Sequence, residues 1–167
     1  MSIDANNFRA GMRRLAASVT VLTTRSADGA EVGLTATAVC SVSADPPVLL
    51  CCMNKTNASF AAFCEAGHFA VNVLPAGAHD IATRFATSMS HAERFSGLDW
   101  RHSATGSPLI AGSLAIFDCK LIEHADIGSH RIFFGEVRDV HLAELEQSPL
   151  LYAFGAYGSF ESAASNS

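Results

Sequence analysis

The sequence predicts a mainly β fold with a few short helices, in which largely antiparallel strands close, or nearly close, into a small barrel. Three observations carry this. Six or seven short apolar or alternating runs are spread along the chain, most of them bounded by Gly, Pro, Asp or Ser. Neighbouring runs are joined by hairpin-length connections, with Ser26-Ala27-Asp28-Gly29 and His124–Ser129 as the clearest turns. Helical periodicity is confined to a few short segments. The 167 residues suit one domain able to bury a substantial core, read here as residues 1–160, with 161–167 as a disordered tail.

Taken in order, residues 6–17 place Phe8, Met12, Leu15 and Ala16 on one helical face and Arg9, Arg13 and Arg14 elsewhere. This amphipathic helix is expected to pack on the body. Val19–Thr24 alternates as a strand, and Glu31–Thr37 returns as its hairpin partner. Ala38–Ser43 is extended up to Asp45-Pro46-Pro47, where the proline rings exclude helix. Val48–Met53 is continuously apolar, as in a strand covered on both faces. Thr56 or Asn57 can cap a helix carrying Phe60, Phe63 and Cys64, with Gly67 ending it. His68–Leu74 is a strand that Pro75 stops, and Ala78–Ala86 is helical, with Ile81 and Phe85 four apart. From Thr87 to Pro108 no period survives, which predicts a long loop. Leu114–Ile122 puts Ala115, Phe117, Cys119 and Leu121 on one face and Asp118 and Lys120 on the other. His130–Val140 pairs back, Ala143–Gln147 is one helical turn, and Leu150–Phe154 closes the folded part.

Composition excludes several classes of function. Hydrophobic residues are 49% against 16% charged, the balance of a packed domain. The net charge of −5 comes without any run of basic residues, so no nucleic-acid footprint is present. No apolar run approaches the length of a membrane span, and the first residues lack the apolar core of a secretory signal. Five cysteines without a CxxC, in a chain expected to be cytoplasmic, read as small buried hydrophobes. The seven histidines include no i, i+4 pair, so no metal site is expected. Rossmann, P-loop, HExxH and G-x-S-x-G patterns are all absent.

The chemistry is expected in residues 33–60, GLTATAVCSVSADPPVLLCCMNKTNASF. Small residues and hydroxyls at its start let a flat ligand approach the backbone. The amides, hydroxyls and single ammonium of Asn54–Ser59, between a strand and a helix, suit a phosphate. The same small residues also suit tight barrel packing, and the residues alone leave both readings open.

This block, with His68–Leu74, Gly128-Ser129-His130, Phe134–Val137 and Pro149–Gly158 following in order, resembles the flavin reductases of the FMN-binding split-barrel group. The likeness covers roughly residues 6–160. It implies a split barrel, a homodimer with flavin near the subunit interface, and NAD(P)H-dependent reduction of FMN or FAD for a separate monooxygenase. By the same resemblance Thr35, Ala36, Thr37 and Ser41 approach the flavin ring and ribityl chain, and Cys52, Asn54, Lys55 and Ser59 serve its phosphate. Arg84, Phe85 and Ala86 match a further flavin-side segment. His130 takes the nicotinamide-facing catalytic position, although Ser129 stands where the family's Gly-Asp-His has its carboxylate, which leaves the imidazole's protonation open. Tyr152 and Tyr157 lie against the nicotinamide dinucleotide. Ala153 and Ala156 occupy positions where many members carry arginine, which favours NADH over NADPH. The alternative of another class is a module that keeps its flavin as an electron carrier or sensor. A pyridoxamine-phosphate-oxidase-like enzyme is disfavoured by the sparse Arg and Lys.

Overall fold

The computed structural model describes residues 4–144 and 147–162. Its elements, in chain order, are α1 (Ala5–Met12), β1 (Ala17–Ser18), β2 (Thr20–Arg25), β3 (Glu31–Ala36), β4 (Val39–Ala44), β5 (Pro47–Asn54), α2 (Phe60–Ala66) and β6 (His68–Val73). They continue as α3 (His79–Ala86), α4 (His91–Phe95), β7 (Trp100–His102), β8 (Pro108–Ile110), β9 (Ala115–Ile127), β10 (His130–Leu142), β11 (Leu150–Ala153) and β12 (Ala156–Ser159). The main sheet has seven strands in the order β3-β2-β6-β9-β10-β5-β4, and every pairing in it is antiparallel.

Closure follows from connectivity. The edge strands β3 and β4 are separated in the chain only by Thr37 and Ala38, a link that spans at most about 11 Å. The sheet therefore curls so that the end of β3 comes beside the start of β4, although the two edge strands do not pair. Inside the curl, Leu22, Leu34, Leu49, Cys51, Met53, Phe69, Val71 and Phe133 form one core, capped by Phe63 from α2. A second core lies outside β2, where Val19, Val21 and Leu74 pack against Ala82 and Phe85 of α3, Phe95 of α4 and Leu150. Gly33 sits between the layers, and a Cβ there would stand 2.7 Å from the Phe85 ring. Its smallness thus serves packing.

Several expectations are corrected. The face of α1 does not pack on the body: Phe8, Met12 and Leu15 are all exposed. Helix α2 starts after Ser59 without a side-chain cap, because Asn57 Oδ1 accepts from the Ser59 N–H instead. Gly67, at φ 70°, ends it as expected. Residues 87–108 are not one loop. Ser90 and Glu93 form a reciprocal capping box that starts α4, and β7 and β8 pair as a hairpin. Strand β2 does not alternate in exposure as expected, since Thr20, Thr23 and Thr24 are buried and donate to the carbonyls of Ala36, Pro108 and His68. The hairpin arms of β9 and β10 run further than the apolar pattern, to a turn at Gly128-Ser129. The chain also continues past Phe154 into β12, around a turn where Phe154 takes φ 54° and Gly155 φ 84°. Only Cys51 and Cys119 of the five free cysteines are fully buried; Cys40 is exposed. The helical turn expected at 143–147 includes residues 145 and 146, and the tail expected at 161–167 includes 163–167. Both groups lie outside the described residues.

Candidate active site

Two neighbouring groups of the expected residues come together at the closing edge of the barrel. The first lines an open cavity of about 200 Å³ formed by Val19, Thr35, Ala36, Thr37, Ala86, Tyr152 and Tyr157. Four parts of the chain supply it: the link between β1 and β2, the end of β3, the end of α3 and the β11–β12 hairpin. Tyr152 and Tyr157 are cross-strand partners, their rings 5.4 Å apart and edge to face. The Thr35 hydroxyl donates to the Ala82 carbonyl at 2.6 Å, which fastens β3 to α3. Val19 was not foreseen as a lining residue.

The second group lies where β5 ends beside the β9–β10 turn. Asn54 is the cross-strand partner of His130, and the Lys55 N–H donates to the Ser129 carbonyl at 2.9 Å. His130 is exposed, with Nδ1 2.9 Å from Ser129 Oγ. Asn54 Oδ1 accepts from both the N–H and the hydroxyl of Thr56, which orders the Asn54–Thr56 turn. Lys55 Nζ is 4.0 Å from Asp126 Oδ2, both side chains being substantially exposed at 35% and 45%. Arg131 takes the same carboxylate in fork geometry, Nε to Oδ1 at 2.7 Å and a terminal nitrogen to Oδ2 at 2.9 Å. Its guanidinium also lies over the Phe60 ring at 5.1 Å and 3.2 Å from Cys64 Sγ. The hydrogen bond from Arg131, helped by the nearby charges of Arg131, Lys55 and His124, pulls the Asp126 carboxyl down to about 2. The same bond pushes Arg131 up.

The two groups are joined by a short stretch of backbone. Ala38, next to Thr37 of the cavity, accepts from the Cys52 N–H at 3.0 Å, and Asn54 follows two residues on, about 7 Å along the strand. Burial raises the Cys52 thiol, so it stays protonated there.

Other expected residues fall elsewhere. Ser59 is fully buried and its hydroxyl points at the Gly33 carbonyl at 3.4 Å, so it presents no hydroxyl to a surface phosphate. Phe85 is 1% exposed and edge to face with Phe95, a core residue behind the cavity. Arg84 donates to the Ser96 carbonyl at 2.8 Å and lines a different surface depression with His79 and Asp80. Ser41 pairs with Leu49 on the exposed edge strand, further along β4 from Ala38 and away from Asn54.

Sequence reasoning missed Arg94. It is 6% exposed and donates to the Gly33 carbonyl and to the Thr87 carbonyl, each at 2.6 Å. These carbonyls flank Thr35 on β3 and Ala86 at the end of α3, so one buried guanidinium ties together two walls of the cavity. The capping-box pattern Ser90–Glu93, four residues long and ending just before Arg94, was the available signal for an ordered element there.

A curled antiparallel sheet whose edge strands β3 and β4 do not pair, with a small-residue cavity at the end of β3, defines a split-barrel protein. Residues 12–161 match the flavin reductase like domain, and the chain belongs to that family. FMN reductase (NADH) RutF 2 of Methylorubrum extorquens strain PA1 is 40% identical over 153 residues, spanning 91% of this chain and 87% of that protein. Among solved structures, NADH:FAD oxidoreductase SgcE6 of Streptomyces globisporus C-1027, in complex with NAD and FAD fragments, superposes with a TM-score of 0.88 at 29% identity. That match covers 98% of this chain and 99% of the other. Nitrilotriacetate monooxygenase component B from Mycobacterium thermoresistibile gives a TM-score of 0.88 at 34% identity, covering 93% of this chain and 86% of its own.

Proposed function

We propose that this protein is an NADH-dependent flavin oxidoreductase that binds FMN or FAD along the 35–38 backbone and hands the reduced flavin to a separate oxygenase. The observation that carries this reading is the junction at Ala38, which joins the small-residue cavity to the Lys55–His130 cluster. The residues present suit a flavin. Ala36 and Ala86 leave room against the cavity wall, the exposed Thr37 adds a hydroxyl, and Lys55 offers a cation to a phosphate.

When bound, the nicotinamide and the flavin would supply the hydride transfer, a redox step that belongs to the two cofactors. The chain's own contribution is orientation and exclusion of water. Thr35, through Ala82, and Arg94, through Gly33 and Thr87, hold the cavity walls at fixed spacing. Backbone N–H groups near 35–38 would lie beside the flavin ring, where such donors favour negative charge. Tyr152 and Tyr157 supply an aromatic wall for the nicotinamide dinucleotide, with His130 positioned by Ser129. Ala153 and Ala156 on that hairpin carry no cation for a 2′-phosphate, which supports NADH. The Phe154 N–H donates to the Arg13 carbonyl at 2.7 Å, joining the end of the α1 segment to the hairpin tip. The exposed Phe8, Met12, Leu15 and Phe154 beside that contact support a homodimer that covers them. Five free thiols support a cytoplasmic setting. No helix among the described residues is long and apolar enough to cross a membrane.

The test is anaerobic stopped-flow absorbance of the protein mixed with NADH and excess FMN, then FAD. Bleaching of many flavin equivalents per protein is the expected result. Bleaching of a single bound equivalent would replace release with a captive carrier, and no bleaching would remove the activity altogether.

A further inference from the structure

We infer that Asp126 sets how tightly this protein holds a phosphorylated flavin, by competing with the flavin phosphate for Lys55. The inference rests on the flavin-phosphate reading of Lys55 given above and adds a residue that opposes it.

Asp126 and Arg131 are cross-strand partners on the β9–β10 hairpin, so the backbone register places the carboxylate. Arg131 is anchored three ways, by two bonds to Asp126, by the Phe60 face and by Cys64 Sγ. Among the described residues, the Lys55 ammonium has one long ionic contact, 4.0 Å to the oxygen Oδ2 that Arg131 already shares. Of the two cations, Lys55 is therefore the one free to turn toward a phosphate. One carboxylate between two cations also leaves the cluster with one net positive charge where it would otherwise have two. A phosphate arriving there shares the ammonium with Asp126, whose negative charge opposes it. Such a competitor weakens the hold on the phosphate and leaves the ring contacts untouched, which suits a flavin that has to leave.

Equilibrium binding of FMN and of riboflavin, which lacks the phosphate, tests this in the wild type, Asp126→Asn, Lys55→Ala and the double variant. Loss of an exposed competing pair predicts FMN binding about three- to fivefold tighter in D126N. Riboflavin affinity is unchanged in D126N, and the gain vanishes in the double variant because its recipient is gone. FMN affinity unaltered by D126N, an equal gain for riboflavin, or a gain that persists without Lys55 each overturns the inference. If Lys55→Ala alone leaves the FMN-to-riboflavin ratio unchanged, the phosphate role of Lys55 fails first and the competition falls with it. A thermal midpoint of D126N close to that of the wild type verifies that the variant is folded.

Discussion

Asp118 and Asp126 lie on the same strand, β9, one stripped of water and the other open to it. Asp118 is 1% exposed. Its oxygens accept from the Ser103 hydroxyl at 2.9 Å, the Thr105 hydroxyl and the Thr105 N–H at 3.3 Å. The chain of hydroxyls runs on through Ser107 to His68 Nδ1 at 2.7 Å. Asp126 is 45% exposed and shared between Arg131 and Lys55. A buried carboxylate is tolerated only when fixed donors replace its water, so the Asp118 cluster has no partner to spare and fastens the 103–107 segment to the barrel. An exposed carboxylate gains little from pairing, so its partners can be exchanged for a ligand. The same residue type thus serves stability in one place and binding in the other.

The contrast can be broken in order of expected effect. Asp118→Ala leaves the Ser103 and Thr105 hydroxyls without their acceptor and should cost about 3 kcal/mol of stability, read as a lowered denaturant midpoint. FMN affinity of the folded fraction should stay unchanged. A midpoint like that of the wild type would mean the network contributes nothing. A smaller effect concerns pH. Burial, outweighing the pull of Asp118, lowers the His68 imidazole, and burial together with Arg94 lowers His91. The unfolded chain then binds more protons than the folded one as pH falls through the ordinary histidine range, so stability drops with acidification. The thermal midpoint should fall between about pH 7.5 and 5.5, and His68→Gln should flatten part of that fall. A midpoint that rises on acidification would contradict the assignment.

How much of this was legible follows from what local pattern can encode. The barrel strands and hairpins were readable because alternation and turn residues are local signals. Within residues 87–108 the Ser90–Glu93 capping box was a local signal for α4, but what fastens the segment, hydroxyls reaching Asp118 on β9 and Arg94 reaching Gly33, is invisible to any short window. Helix α1 declared an apolar face but not what covers it. At the site, Thr35–Thr37, Ala86, Tyr152 and Tyr157 do converge. Ser59 and Phe85 are placed at the flavin by resemblance alone, which says nothing about which way a hydroxyl or a ring points, and here both are buried. The meeting of Lys55 with Asp126 depends on the register between β5, β10 and β9, which the sequence does not print.

The most direct test of the division between a closed and an open cluster is to measure Lys55→Ala twice, by thermal unfolding and by binding of FMN against riboflavin. An exposed cation that serves a ligand predicts an unchanged melting midpoint, riboflavin affinity as in the wild type, and FMN binding weaker by about tenfold or more. A lowered midpoint with FMN affinity intact would contradict the account, since Lys55 would then belong to the fold and not to the flavin.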